Sequence, residues 1–198
     1  DVRMRELLNC LHNTNWFGTF KRLDDQTQGG LVFHFTVKGP DSALTPNPYG
    51  VRVSDGSQLQ ASASGAPLVK GLTVVSDQAI YVRGDYNADA KIPSAIMADS
   101  LNILSNNWLD TNSNKADVNS RIASNTTINA AFLGGSDTTG GIEGAGGQNS
   151  YYSGGFENFP RFHENWSGRT LLYRGSFVSL ARPLHATGRW TSQSYSAP

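Results

Sequence analysis

Charge is what this sequence has least of. Lysine and arginine total 16, aspartate and glutamate total 16, and the formal net charge over 198 residues is zero. Charged residues make up 16% of the chain, well below the roughly 25% of an average soluble domain. Without a basic excess to neutralise phosphates, nucleic-acid binding of the ordinary electrostatic kind is excluded. Cysteine is nearly absent too. Cys10 stands alone, so no intramolecular disulfide or cysteine-based zinc site can form. In its apolar surroundings it reads as a small buried hydrophobe rather than a reactive thiol. No apolar run approaches the roughly 18 residues that span a bilayer. Asp1-Val2-Arg3-Met4-Arg5-Glu6 is charged where the apolar stretch of a signal peptide would begin. The chain therefore reads as a mature or excised portion.

Uncharged polarity fills the gap. Glycine (21), serine (21), asparagine (16) and threonine (14) are abundant, and they suit turns. Hydrophobic residues still reach 38% and aromatics 10%, enough to build a core and to argue against charge-driven disorder. The length suits one domain over 1–198.

Along the chain, Met4, Leu7, Leu8 and Leu11 recur at helical spacing, with Asp1 placed to cap the helix. Trp16-Phe17-Gly18-Thr19-Phe20 reads as a short aromatic strand that completes an N-terminal region over 1–29. From residue 30 the pattern is strand-like, opening with Leu31-Val32-Phe33-His34-Phe35-Thr36-Val37. A weak repeat organises residues 30–133. Val53-Ser54-Asp55 recurs as Val75-Ser76-Asp77 and as Met97-Ala98-Asp99, at intervals of 22 residues. Each triplet ends one short apolar strand and precedes another. A fixed period of strands and tight polar turns predicts an all-β fold, a β-solenoid of about 22 residues per coil. A β-sandwich is the alternative. Residues 105–125 read as an inserted loop with a helical turn near Val118 to Ile122. Residues 134–155 read as a glycine-rich loop, and 156–198 as capping and terminal strands.

Few residues announce chemistry. In the 22-residue register Asp55, Asp77 and Asp99 stack one rung apart, roughly 4.8 Å from each other. Such a row suits calcium, or acid–base attack on a glycosidic bond led by Asp77 and Asp99. The plainer reading, and the favoured one, is three turn aspartates capping backbone N–H groups. Asp85-Tyr86-Asn87-Ala88-Asp89 and Asp110-Thr111-Asn112-Ser113-Asn114 open like calcium loops, making Asp85, Asn87, Asp89, Asp110, Asn112 and Asn114 candidate ligands. Both loops lack the turn glycine, where Ala90 and Lys115 stand, and the closing glutamate. They read better as polar turns, and no other cofactor is expected. His12, His34, His163 and His185 show no metal-ligand spacing. No G-x-S-x-G, P-loop or dinucleotide fingerprint occurs. Trp108, Tyr151, Tyr152, Trp166 and Trp190 lie among Asn, Ser and Gly, so they either stack on sugar rings or flank the core, the second being favoured. Asn125-Thr126-Thr127 and Asn165-Trp166-Ser167 match the glycosylation sequon.

Two blocks of sequence bear a family likeness. One runs from Lys70 through Val75-Ser76-Asp77-Gln78-Ala79-Ile80-Tyr81-Val82-Arg83-Gly84-Asp85-Tyr86-Asn87, and then from Ala98 to Trp108. The other is Glu157-Asn158-Phe159-Pro160-Arg161-Phe162-His163-Glu164-Asn165-Trp166, followed by Gly175-Ser176-Phe177-Val178 and His185-Ala186-Thr187-Gly188-Arg189-Trp190. Over about residues 30 to 198 the chain resembles the C-terminal extracellular region of type IV pilus-associated proteins. These are the PilX-like and large minor-pilin-like proteins, including the cyanobacterial hormogonium polysaccharide biosynthesis protein HpsA. The resemblance implies a bacterial cell-surface or secreted domain and carries no catalytic residues with it. The partners implied are other pilus or surface subunits and polysaccharide. The expectation is a non-enzymatic domain for adhesion, assembly or a structural role. The alternatives are a polysaccharide hydrolase or lyase using paired carboxylates, and a self-assembling filament subunit.

Overall fold

The structure is a computed structural model that describes residues 1–18, 22–41, 43, 49–134 and 160–179. Twelve strands and one α-helix form in chain order. They are β1 (Val2–Arg3), α1 (Met4–Asn13), β2 (Leu31–His34), β3 (Gly50–Ser54), β4 (Leu72–Val75), β5 (Ala79–Arg83) and β6 (Ser94–Ala98). Then come β7 (Ser100–Leu104), β8 (Thr126–Asn129), β9 (Ala131–Gly134), β10 (Arg161–Phe162), β11 (Leu171–Arg174) and β12 (Phe177–Ser179).

The strands fall into three sheets. Sheet I has the order β1-β3-β5-β7-β10, sheet II the order β12-β9-β6-β4-β2, and sheet III joins β11 to β8. Isolated bridges extend sheet III through Tyr86 to Gly56. Every pairing among the described residues is parallel. From β4 onward the chain visits sheets II, I and III in turn and returns to II, laying each strand beside its counterpart one turn earlier. That is a three-sided β-solenoid. The antiparallel sandwich alternative does not survive this pairing.

The 22-residue period describes one coil closely. Val75 pairs with Met97, 22 residues on, and Ala79 pairs with Ser100, 21 residues on. Other coils carry loops at their corners, so Ile96 waits 36 residues for Phe132. The first triplet belongs to a different side. Val53 ends a strand of sheet I and pairs with Val82, whereas Val75 lies in sheet II. Asp55 therefore stands at another corner, and the expected row of three aspartates does not form.

Alternation along each strand fills the interior. On sheet II the row Phe33, Val74, Ile96, Phe132 and Phe177 points inward; on sheet I the rows Val51-Ile80-Leu101 and Val53-Val82-Ile103 do so. Tyr86, Ile128 and Tyr173 contribute the third side. Each such side chain contributes roughly 1.5–3 kcal/mol by leaving water. α1 closes the N-terminal end with Met4, Leu8 and Leu11 buried against this core. Cys10, on the opposite side of that helix, is exposed rather than buried. Asp1 does not cap α1; it accepts hydrogen bonds from Ser54 and Arg52 instead. Trp16 and Phe17 lie in turns, with Trp16 exposed, so no aromatic strand forms there among the described residues.

Polar side chains lock the corners. Gln78 donates to and accepts from the backbone of Val37, and Ser76 donates to Phe35 O. At the corner from sheet III to sheet II, Gly175 passes so close to the previous coil that a Cβ would stand 1.9 Å from Ala130 O.

Candidate functional site

Chemistry-bearing side chains collect on the outer face of sheet I. Strand alternation turns Arg52, Tyr81, Asn102 and Arg161 to one side, and the pairing sets them in a single row. At ~4.8 Å per strand the row spans about 14 Å. Tyr81 leans across Gly50, where an added Cβ would stand 3.0 Å from the ring. His163 follows β10, and its ring centroid lies 5.6 Å from that of Tyr81.

Hydrogen bonding fixes the tautomer of His163. The Asn102 amide nitrogen donates to Ile80 O and toward Ser100, so its Oδ1 is the acceptor. His163 Nε2 lies 2.8 Å from that oxygen and therefore carries the proton. Nδ1 is left as a bare acceptor. Burial, with the charges of Arg121 and Arg161, holds the His163 pKa down at about 4, so the ring is neutral at pH 7. Burial raises the Tyr81 pKa against the opposing charge of Arg161. The Tyr81 hydroxyl has no hydrogen-bond partner among the described residues. Burial also pulls Arg161 below its usual range, countered by Tyr81 and Asp99, and a guanidinium so placed stays charged.

Residues 105–125 border this face. Asp110 binds Arg52, which also holds Asp1 at 2.9 Å. The Arg52 hydrogen bond holds the Asp110 carboxyl below the usual carboxylate range, helped by the Arg83 charge and a Trp108 bond. Glu164 is buried beside the face and accepts from Ser105 N at 2.5 Å and Ser105 Oγ at 2.7 Å. A cleft of about 430 Å³ opens at the ends of the sheet I strands, lined by Asp1, Arg3, Asp55, Arg83 and Asn106 among others.

The residues singled out in the sequence are largely elsewhere. Asp77 is exposed at the corner between sheets II and I, while Asp99, one coil on, is buried. The two do not face a common cleft as a carboxylate pair. Asp85 accepts from Thr127 N, and Asn87 is held by Ile92 and Asn129. Asp89 and Asn114 are exposed, Asn112 is buried, and Asp110 is held by Arg52. The calcium-like loops thus direct side chains to backbone and arginine rather than to one point. Among the described residues no group of three His, Cys, Asp or Glu side chains could hold a metal. Trp108 is 7% exposed, so its ring is not presented to a sugar. Trp166 packs on the core with an edge toward Phe162, 5.6 Å between centroids. Tyr151, Tyr152 and Trp190 lie outside the described residues.

Tyr81, Asn102, Arg161 and His163 carry no sequence motif. The one signal for them is the coil offset, because Asn102 stands 21 residues after Tyr81 at the same outward parity. No protein-family model, curated protein or solved structure matches this chain. Fold and site together define a mainly-β domain of parallel solenoid type. No helix among the described residues is long and apolar enough to cross a membrane.

Proposed function

We propose that the chain is a non-enzymatic contact domain of a bacterial cell surface, associated with pili or exopolysaccharide and engaging another surface subunit. One observation carries this reading. The 105–125 excursion is pinned along its length and still offers large apolar side chains to solvent. Asp110 ties it to Arg52, Asn106 donates to Asn125 O, Lys115 donates to Ser120 O, and Asn165 donates to Asn119. Leu109 is 61% exposed and Ile122 51%. A pre-ordered loop with apolar tips binds without a large ordering cost, as a contact surface on a rigid frame should. The likeness to pilus-associated surface proteins points to the same role.

The experiment is photo-crosslinking from residue 109 on intact cells of the source organism, with a Leu109→Ser/Ile122→Ser variant as control. Crosslinks to a distinct surface protein are expected, with at least tenfold less recovery in the variant at unchanged thermal stability. Crosslinks only to a second copy would favour the filament-subunit reading. No crosslink above background overturns both.

A further inference from the structure

We propose that the outer face of sheet I binds oligosaccharides bearing uronic acids, with Tyr81, His163, Arg161 and Arg83 making the contacts. This site lies apart from the Leu109 and Ile122 tips and does not depend on the loop-contact reading.

The face offers what a uronate needs. Tyr81 supplies a half-buried ring for the apolar side of a sugar and a hydroxyl with no partner among the described residues. His163 presents Nδ1 as an acceptor for a sugar hydroxyl, because Asn102 holds the proton on Nε2. The charge of Arg161 reaches both rings. Arg83 shares the outer side of β5 with Tyr81, makes no hydrogen bond or ion pair among the described residues, and lines the 430 Å³ cleft. A guanidinium fork matches a carboxylate bidentately.

The surrounding acids do not cancel this. Asp1 and Asp110 are engaged by Arg52, Glu164 is buried on Ser105, and Asp99 is buried. Asp55 rims the cleft and suits a sugar hydroxyl. Arg83 and Arg161 sit two strands apart, ~10 Å, which favours a short chain over a single sugar. The zero net charge of the whole chain argues for a local carboxylate reader rather than a general polyanion binder.

The test is calorimetric titration of the full chain with a hexameric oligogalacturonate, its methyl ester and a neutral galactose hexamer. The acid form should bind, and the ester and neutral forms at least tenfold more weakly. Arg83→Gln should lose about tenfold and Tyr81→Phe about threefold at unchanged thermal stability. In the wild type, saturating ligand should shift the His163 Nδ1 resonance in ¹⁵N NMR. The proposal is overturned by an acid form no tighter than its ester, by both variants binding as the wild type does, or by an unmoved Nδ1 resonance. Retained crosslinking through residue 109 would separate any such failure from a failure of the loop-contact reading.

Discussion

Asn87 and Asn129 occupy equivalent corners of successive coils and bond reciprocally. Asn87 Nδ2 donates to Asn129 O at 2.8 Å, and Asn129 Nδ2 donates to Asn87 O at 3.0 Å. Asn87 also donates to Ile92 O and accepts from Ile92 N, closing its own turn at φ 51°. Asparagine tolerates this left-handed backbone better than most residues. Asn87→Ala removes these bonds at a site only 1% exposed and leaves buried backbone groups unpaired. The expected cost is about 2–4 kcal/mol, read as a lower urea midpoint at unchanged slope. Asn87→Asp keeps the acceptor, loses the donor and should fall in between or worse. A midpoint equal to wild type would show that the corner is held by the chain around it.

Glu164 and Ser105 form the second buried lock. Two bonds reach the carboxylate from one residue, one of them from the backbone N–H that ends β7. Ser105→Ala removes only the hydroxyl and is expected to cost about 1 kcal/mol. Glu164→Ala leaves the Ser105 N–H and hydroxyl without an acceptor and should cost about 2–4 kcal/mol. In a double-mutant cycle the pair should couple, with the double variant losing less than both single variants together. Simple additivity would mean that the two side chains act independently.

The frame was more legible in the sequence than the site. The apolar runs at Leu72–Val75 and Ile80–Val82 read as strands because both alternate and are rich in β-branched residues. The 22-residue offset from Val75 to Met97 marks a true coil. The same offset misled at Val53, because a triplet with the same letters ends a strand on a different side of the solenoid. Sequence repetition reports spacing but not which corner is being turned. The site was hidden for another reason. Tyr81 and Asn102 meet Arg161 only after 57 intervening residues, many of them in loops, and nothing in the order of letters brings β10 beside β7. The acidic turn motifs were visible but are used locally, as Asp85 on Thr127 N illustrates.

The Arg52–Asp110 pair should govern the order of residues 105–125. Arg52→Gln removes the partner of Asp110 and leaves Asp1 with Ser54 alone as its hydrogen-bond donor. Because Asp110 is exposed, global stability should change little. Local order should change more. Hydrogen exchange at the amides of Asn112 and Lys115, which close the first turn of the loop, is expected to quicken at least fivefold. Exchange at Ile80 and Leu101 should stay as it was. Uniform protection across the loop in the variant would assign its order to Asn106, Lys115 and Asn119 instead.

His163 should make stability depend on pH over a defined window. Its folded pKa of about 4 lies below the ordinary 6.5, through burial first and then the charges of Arg121 and Arg161. Between these values the unfolded chain binds the proton and the folded chain does not, so unfolding gains as the pH falls. The contribution of the neutral ring is fully present above about pH 6.5 and is lost progressively as the pH drops toward 4. The whole effect is at most about 3 kcal/mol. The facing groups are Tyr81, Arg121 and Arg161, with neutral Asn102 accepting the Nε2 proton, and none of them titrates in this window. His163→Gln keeps a donor toward Asn102 and removes the titration, so its stability should change less between pH 7 and pH 4 than that of the wild type. Parallel curves for the two proteins would place the acid sensitivity in the carboxylates, with Glu164 the first to examine.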